Sequence, residues 1–143
     1  LYDVTLFSFR HESEAPVTAL SFRQDGPQEL VSGNAEGEVA LWNLDKKQLE
    51  GLLTNSVMAE VSDVKPTNPH RGPITTLFFF PAEPLLLTAG GDNAMKLFSF
   101  GTLGICKKLK ERQGHFKPLT QVRFFGDSLV LTAAEDRTMR VHN

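Results

Sequence analysis

The sequence is poor in cysteine, and its single thiol, Cys106, excludes an internal disulfide framework and fits a reducing compartment. It also lacks a surplus of basic charge. Fifteen Lys and Arg against seventeen Asp and Glu leave a net charge of −2, which excludes a protein held to nucleic acid by bulk charge alone. No apolar run approaches the roughly 18 residues of a membrane span; the richest, Leu77 to Phe80, stops at Pro81. Helical periodicity does not persist for two turns anywhere. The first residue is Leu1 rather than Met, so the chain is read as a piece of something longer, and the lack of a targeting segment says little about the parent. What is present is 143 residues, 41% hydrophobic and 22% charged, an ordinary globular composition with room for one core.

Self-similarity organises those residues. A Pro–apolar–Thr–x–apolar–x–Phe pattern occurs at Pro16 to Phe22, Pro73 to Phe79 and Pro118 to Phe124, preceded by His11, His70 and His115. A second block follows each copy, at Leu30 to Gly33, Leu86 to Ala89 and Val130 to Ala133. Glu36, Asp92 and Asp136 then stand at one offset in a polar turn. A third apolar segment closes each unit at Val39 to Trp42, Met95 to Phe98 and Met139 to His142. The spacings are 57 and 45 residues.

Each unit reads as β: short, β-branched or aromatic segments bounded by Gly, Asp, Asn and Pro. Thr18, Leu20 and Phe22 share a face at period two, as do Thr75, Leu77, Phe79 and Thr120, Val122, Phe124. Gly37 and Asn93 tolerate the positive φ of a tight turn. Weaker fourth strands fit Lys47 to Leu53 and Ile105 to Lys110, and Tyr2 to Phe9 alternates like the outer strand of a preceding unit. A four-stranded unit recurring every ~40–45 residues is a propeller blade, and blades form rings of about four to eight. Three at most cannot close such a ring, which leaves two blade faces and a sheet edge open. The expected fold is therefore all-β, a partial propeller. Residues 1–10 form an outer strand of a preceding blade, 11–53 blade 1, 54–69 a polar inserted loop, 70–113 blade 2 and 114–143 a third blade lacking its outer strand.

These residues resemble the WD-repeat family, whose pattern is His before the first strand, Ser or Thr in the second, Asp in the turn and Trp in the third. Blade 1 offers His11, Ser32, Glu36 and Trp42; blade 2 offers His70, Thr88, Asp92 and, in place of Trp, Phe98; blade 3 offers His115, Thr132, Asp136 and, in place of Trp, His142. The resemblance implies a structural hydrogen-bonded chain from acid through histidine and hydroxyl to the indole. Since every copy departs from the pattern, the chain is expected to be shortened in all three blades. Longer strings, Ala19 to Gly26, Leu41 to Leu49 and Glu83 to Thr88 with Asp92 to Lys96, resemble the tandem-propeller WD-repeat proteins of the small-subunit processome, associated with the box C/D small nucleolar ribonucleoprotein. That resemblance implies a nucleolar scaffold in 18S rRNA maturation. Its partners would be other WD-repeat processome subunits, pre-rRNA or small nucleolar RNA, and the rest of the parent propeller. The insertion at Thr54 to Pro69 departs from the family and reads as a solvent loop.

Chemistry beyond architecture finds little support. Three histidines at one repeat position have a repeated structural job, whereas a catalytic residue is normally unique. No pair of His, Cys or acids has zinc spacing. Cys106 stands beside Lys107 and Lys108, which can lower a thiol pKa, yet no base is placed beside it. Gly90-Gly91-Asp92 lacks the Lys-Ser/Thr ending of a phosphate loop and reads as a hairpin turn. The one basic cluster, Lys107, Lys108, Lys110, Arg112 and Lys117, is a candidate RNA or partner contact, or else an outer strand blunted by charge. Phe78 and Phe80 read as inter-blade core. The expectation is a non-catalytic scaffold needing no cofactor or metal and no membrane. The alternative is a generic WD-repeat adaptor, such as a ubiquitin-ligase substrate receptor or signalling scaffold.

Overall fold

The computed structural model describes residues 7–59, 66–101, 106–126 and 128–143. Among them there is no helix, and twelve strands form three antiparallel sheets. The first blade comprises β1 (Val17–Phe22), β2 (Glu29–Asn34), β3 (Val39–Asn43), β4 (Gln48–Leu53) and a short β5 (Met58–Ala59) in that order. The second comprises β6 (Ile74–Phe79), β7 (Leu85–Gly90), β8 (Ala94–Phe100) and β9 (Cys106–Gln113). The third has β10 (Leu119–Phe125), β11 (Leu129–Ala134) and β12 (Met139–His142). The expected outer strand of a preceding blade falls largely on residues outside those described. Its last part, residues 7–10, is not a strand, and Phe9 stacks on Trp42 at 4.9 Å. β9 runs three residues past the expected Lys110, because Glu111, Arg112 and Gln113 keep pairing with Lys96, Met95 and Ala94.

The repeated Pro and Thr have a shared job. Pro16, Pro73 and Pro118 accept, through their carbonyls, the amides of Ala35, Gly91 and Glu135 in the turn after the second strand. The alternation expected to include threonine breaks at that residue: Thr18, Thr75 and Thr120 each sit at a bulge. Each hydroxyl donates to a carbonyl of the second strand, at Gly33 (3.3 Å), Ala89 (3.2 Å) and Ala133 (3.2 Å). The turn into the third strand requires the left-handed region at Gly37 (φ 87°), Asn93 (φ 63°) and Arg137 (φ 67°). Glycine is needed at 37 for a second reason: a Cβ there would collide with the carbonyl oxygen of His70 in the next blade.

Each sheet has two apolar faces. Val31, Val39 and Leu41 of the first blade pack against Leu77, Phe79 and Phe98 of the second. The opposite face of the second blade, with Leu87, Ala89 and Met95, packs on Leu119 and Val122 of the third. Phe78 and Phe80 are part of this seam, their rings 4.9 and 3.9 Å from Phe124. Fully burying a side chain such as Phe79 contributes roughly 1.5–3 kcal/mol. The outer faces of blades 1 and 3 have no neighbouring sheet among the described residues, although Phe9 covers Trp42 on the first. Leu20 and Phe22 remain more than half exposed on one, and Phe125, Met139 and Val141 on the other.

The described ends of the insertion, 54–59 and 66–69, are tied to both blades, which the expected solvent loop did not include. Its first part pairs β5 with β4, then bridges across to the second blade, with Val57 opposite Lys107 and the Lys108 amide on the Ser56 carbonyl. Its last part is held by Lys96, a buried lysine of β8 whose Nζ donates to the Pro69 carbonyl and, at 2.7 Å, to Asn55 Oδ1. Asn68 adds a bond to the Glu36 carbonyl of the first blade. Lys96 thus ties both ends of the insertion to one point. Replacing it by Met keeps the length and removes the donor. With hydrogen bonds to charged groups contributing about 1.5–3 kcal/mol, limited proteolysis within 54–59 and 66–69 should speed up at least about tenfold, while the far-UV signal of the sheets stays unchanged.

Candidate functional site

The three repeated histidines lie in the segments entering each blade and are all buried. Each imidazole turns Nδ1 to an acid and Nε2 to a hydroxyl. In the first blade Nδ1 of His11 meets Glu38, Nε2 lies 2.6 Å from Ser32 Oγ, and Trp42 Nε1 donates to the same oxygen at 2.7 Å. In the second, His70 bridges Asp92 (2.9 Å) and Thr88 (2.7 Å). In the third, His115 bridges Asp136 (2.9 Å) and Thr132 (2.7 Å), and His142 Nε2 stands 3.0 Å from the Thr132 hydroxyl. A carboxylate can only accept, so Nδ1 carries the proton; with a neutral ring, Nε2 then accepts from the hydroxyl. Each chain therefore runs in one direction, from hydroxyl through histidine to the acid, with an indole or imidazole N–H feeding the hydroxyl in the first and third. Both nitrogens of every repeated histidine are engaged, which leaves neither for a metal or a reacting group.

Two expectations are corrected here. Glu36 is not the acid of the first chain: its carboxylate accepts from Ser13 Oγ at 2.7 Å, and Glu38 meets His11. The cause is Asn34. Its Oδ1 takes the turn amides of Glu36 and Glu38 at 3.0 and 3.1 Å, whereas Asp92 Oδ1 takes that of Ala94 and Asp136 Oδ1 that of Thr138 in the other blades. With that job done by Asn34, the histidine's partner comes from two residues later, where a glutamate has the reach. The position is close to histidine elsewhere too, since Thr138 Oγ1 lies 3.2 Å from His115 Nδ1. The second correction concerns length. Only the second chain is shortened, because Phe98 has no donor; Glu38 completes the first, and His142 stands in for the indole in the third.

The basic cluster does not stay together. Lys108 pairs with Glu111 at 2.7 Å on the side facing the first blade. Lys110 and Arg112 face the third blade and line a cavity of about 340 Å³ with Phe80, Leu97 and Phe124. Lys107 lies at the bridge to Val57, and Lys117 is in the exposed loop after His115. Cys106 is enclosed in the core between the first two blades. Burial pushes its thiol pKa up to about 12 against a weaker pull from Arg23, so its lysine neighbours in sequence do not activate it.

The family model for the WD domain, G-beta repeat, matches residues 4–43, 62–99 and 106–143. The chain belongs to the WD-repeat family. It is 34% identical over 142 residues to WD repeat-containing protein 36 of Homo sapiens, covering 97% of this chain and 14% of that protein. It is 31% identical over 138 residues to the U3 small nucleolar RNA-associated protein 21 homolog of Schizosaccharomyces pombe, and 26% identical over 141 residues to U3 small nucleolar RNA-associated protein 21 of Saccharomyces cerevisiae. The chain spans 14% of the length of each of these relatives. Among solved structures, a chain of the crystal structure of the mitotic checkpoint complex superposes with a TM-score of 0.70 at 16% identity, covering 92% of this chain and 37% of that one, a likeness of fold. The fold is that of a partial WD-repeat propeller.

The WD chains respond to pH through their acids. Burial alone would raise Asp92, but hydrogen bonding and charge from His70, with the amides of Arg71 and Ala94, outweigh it and bring the pKa to about 2 from 3.8. Asp136 is likewise held below the carboxylate range, burial being outweighed by Thr138, His115 and the Phe116 amide. A pKa depressed by folding means stability that is present above the unfolded value and lost as pH falls through the folded one. Chemical denaturation between pH 5 and pH 2 should therefore show a decline beginning near pH 4, and Asp92→Asn should flatten it. At the other end of a chain, Trp42→Phe removes the indole donor and some volume and should cost about 1–2 kcal/mol. Trp42→Ala should cost about 3–5 kcal/mol in the same denaturation measurement.

Proposed function

We propose that the chain is part of a non-catalytic WD-repeat scaffold acting in small-subunit processome assembly and 18S pre-rRNA processing in the nucleolus. The observation that carries this reading is likeness along nearly the whole chain: 34% and 31% identity over 97% and 94% of it, two of the three named relatives being U3 small nucleolar RNA-associated. The geometry supports a mechanical role. The three histidines are used up in structural hydrogen bonds, and the one cysteine is buried with its thiol held protonated. The work of such a segment is to hold strand edges and loops at fixed angles, so that several weak contacts add through effective concentration in a large particle.

Its nearest partners are the neighbouring blades of the parent propeller, which would cover Leu20 and Phe22 on one side and Phe125 and Val141 on the other. The missing fourth strand of the third blade would lie along β12. Beyond them come other WD-repeat processome subunits and pre-rRNA or small nucleolar RNA. Affinity capture of the full-length protein, with RNA blotting after its depletion, tests the proposal. Processome subunits and U3 RNA should co-purify, and 18S precursors should accumulate. Capture of neither, with normal 18S levels, overturns it.

A further inference from the structure

Where the second and third blades meet, Arg112 and Arg140 approach a common seam at Gly114, and Arg140 also reaches the most exposed aromatic ring of the described residues. Phe116 is 84% exposed, although its backbone amide donates a hydrogen bond to Asp136 Oδ2 at 3.1 Å. A ring so held in water by a rigid backbone serves no packing. The Arg140 guanidinium lies 5.7 Å from its centroid. Arg140 comes from β12, and from the other blade Arg112 reaches the same narrow seam, which Gly114, His115 and His142 also line. His142 registers both cations: burial first, then the charges of His115, Arg112 and Arg140, lower its pKa. Lys110, on the same face of β9 as Arg112, continues the basic line along the adjoining cavity, where Glu83 is the one acid. Among the described residues no carboxylate forms an ion pair with Lys110, Arg112, Lys117 or Arg140, whereas Arg23, Lys96 and Lys108 are all paired.

We propose that this seam binds single-stranded RNA, with an unpaired base stacked on Phe116 beside the Arg140 guanidinium and the neighbouring phosphates met by Arg112, Lys110 and Lys117. The inference rests on the processome reading for the choice of nucleic acid; the flat ring and the unpaired cations come from the fold. An exposed ring flanked by a guanidinium offers stacking to any unpaired base, and a row of cations leading away from it follows a phosphate backbone. A duplex keeps its bases stacked inside and cannot use the ring. An acidic peptide would satisfy the cations and leave the ring idle, which is why RNA is favoured.

The test is fluorescence anisotropy of the full-length protein with a labelled oligouridine of about 12 nucleotides, against a duplex of equal length and a glutamate-rich peptide. Phe116→Ala should weaken oligouridine binding about tenfold without changing the salt slope or the melting temperature. Arg112→Gln should lower the salt slope by about 0.7. Unchanged binding by Phe116→Ala, equal binding of the duplex, or preferential capture of the peptide overturns the proposal. Oligouridine binding remains measurable whether or not processome subunits co-purify, so the two readings fail separately.

Discussion

Burial of both faces of each sheet is the constraint on which the rest of this structure depends. A sheet that is apolar on one side only can rest on a core and face water with the other. These cannot: Leu77 and Phe79 point one way from β6 and Phe78 points the other, into different neighbours. The second blade, covered on both sides, supplies the three fully buried phenylalanines, Phe79, Phe98 and Phe100, together with Ile74 and Leu86. The first and third blades each have one covered face, and their exposed apolar residues collect on the other. A stack of this kind gains by adding further blades until it closes.

Polar chains then fasten the segment entering each blade to that blade's own second strand and turn. Histidine fits this place because it accepts at one nitrogen and donates at the other, passing a hydrogen bond from the second strand to the turn that follows it. The three blades meet the same requirement with different residues. Glutamate stands in for aspartate where asparagine has taken the turn amides, imidazole replaces indole at His142, and Phe98 drops the last donor while keeping the burial. What is kept is the direction of the hydrogen bonds; the side chains that make them vary.

The insertion and the basic residues show how folding sorts charges that are mixed in sequence. Lys96 and Lys108 face the first blade and become joints, one holding Pro69 and Asn55, the other Glu111. Lys110 and Arg112 emerge on the opposite face, toward Phe124 and His142 of the third blade. A run of cations along a strand is divided between two faces by the period of two, and a bulge at Leu97/Phe98 shifts that division.

Periodicity was enough to read the all-β class, the recurring units with their histidines and hydroxyls, and Phe78 and Phe80 between blades, because each depends on local alternation and on a repeat visible at 57 and 45 residues. Strand ends came within a few residues, since pairing partners, which lie far away in sequence, decide where a strand stops. Tertiary structure alone decided that Glu38 and not Glu36 meets His11, that Thr18, Thr75 and Thr120 leave the alternation for bulges, and that Lys96 holds the insertion. Nor could spacing along the chain show Phe116 beside Arg140, 24 residues on. Those are choices among side chains equally able to do the job, settled by which of them the packing of neighbouring sheets brings within hydrogen-bonding or ring-contact distance.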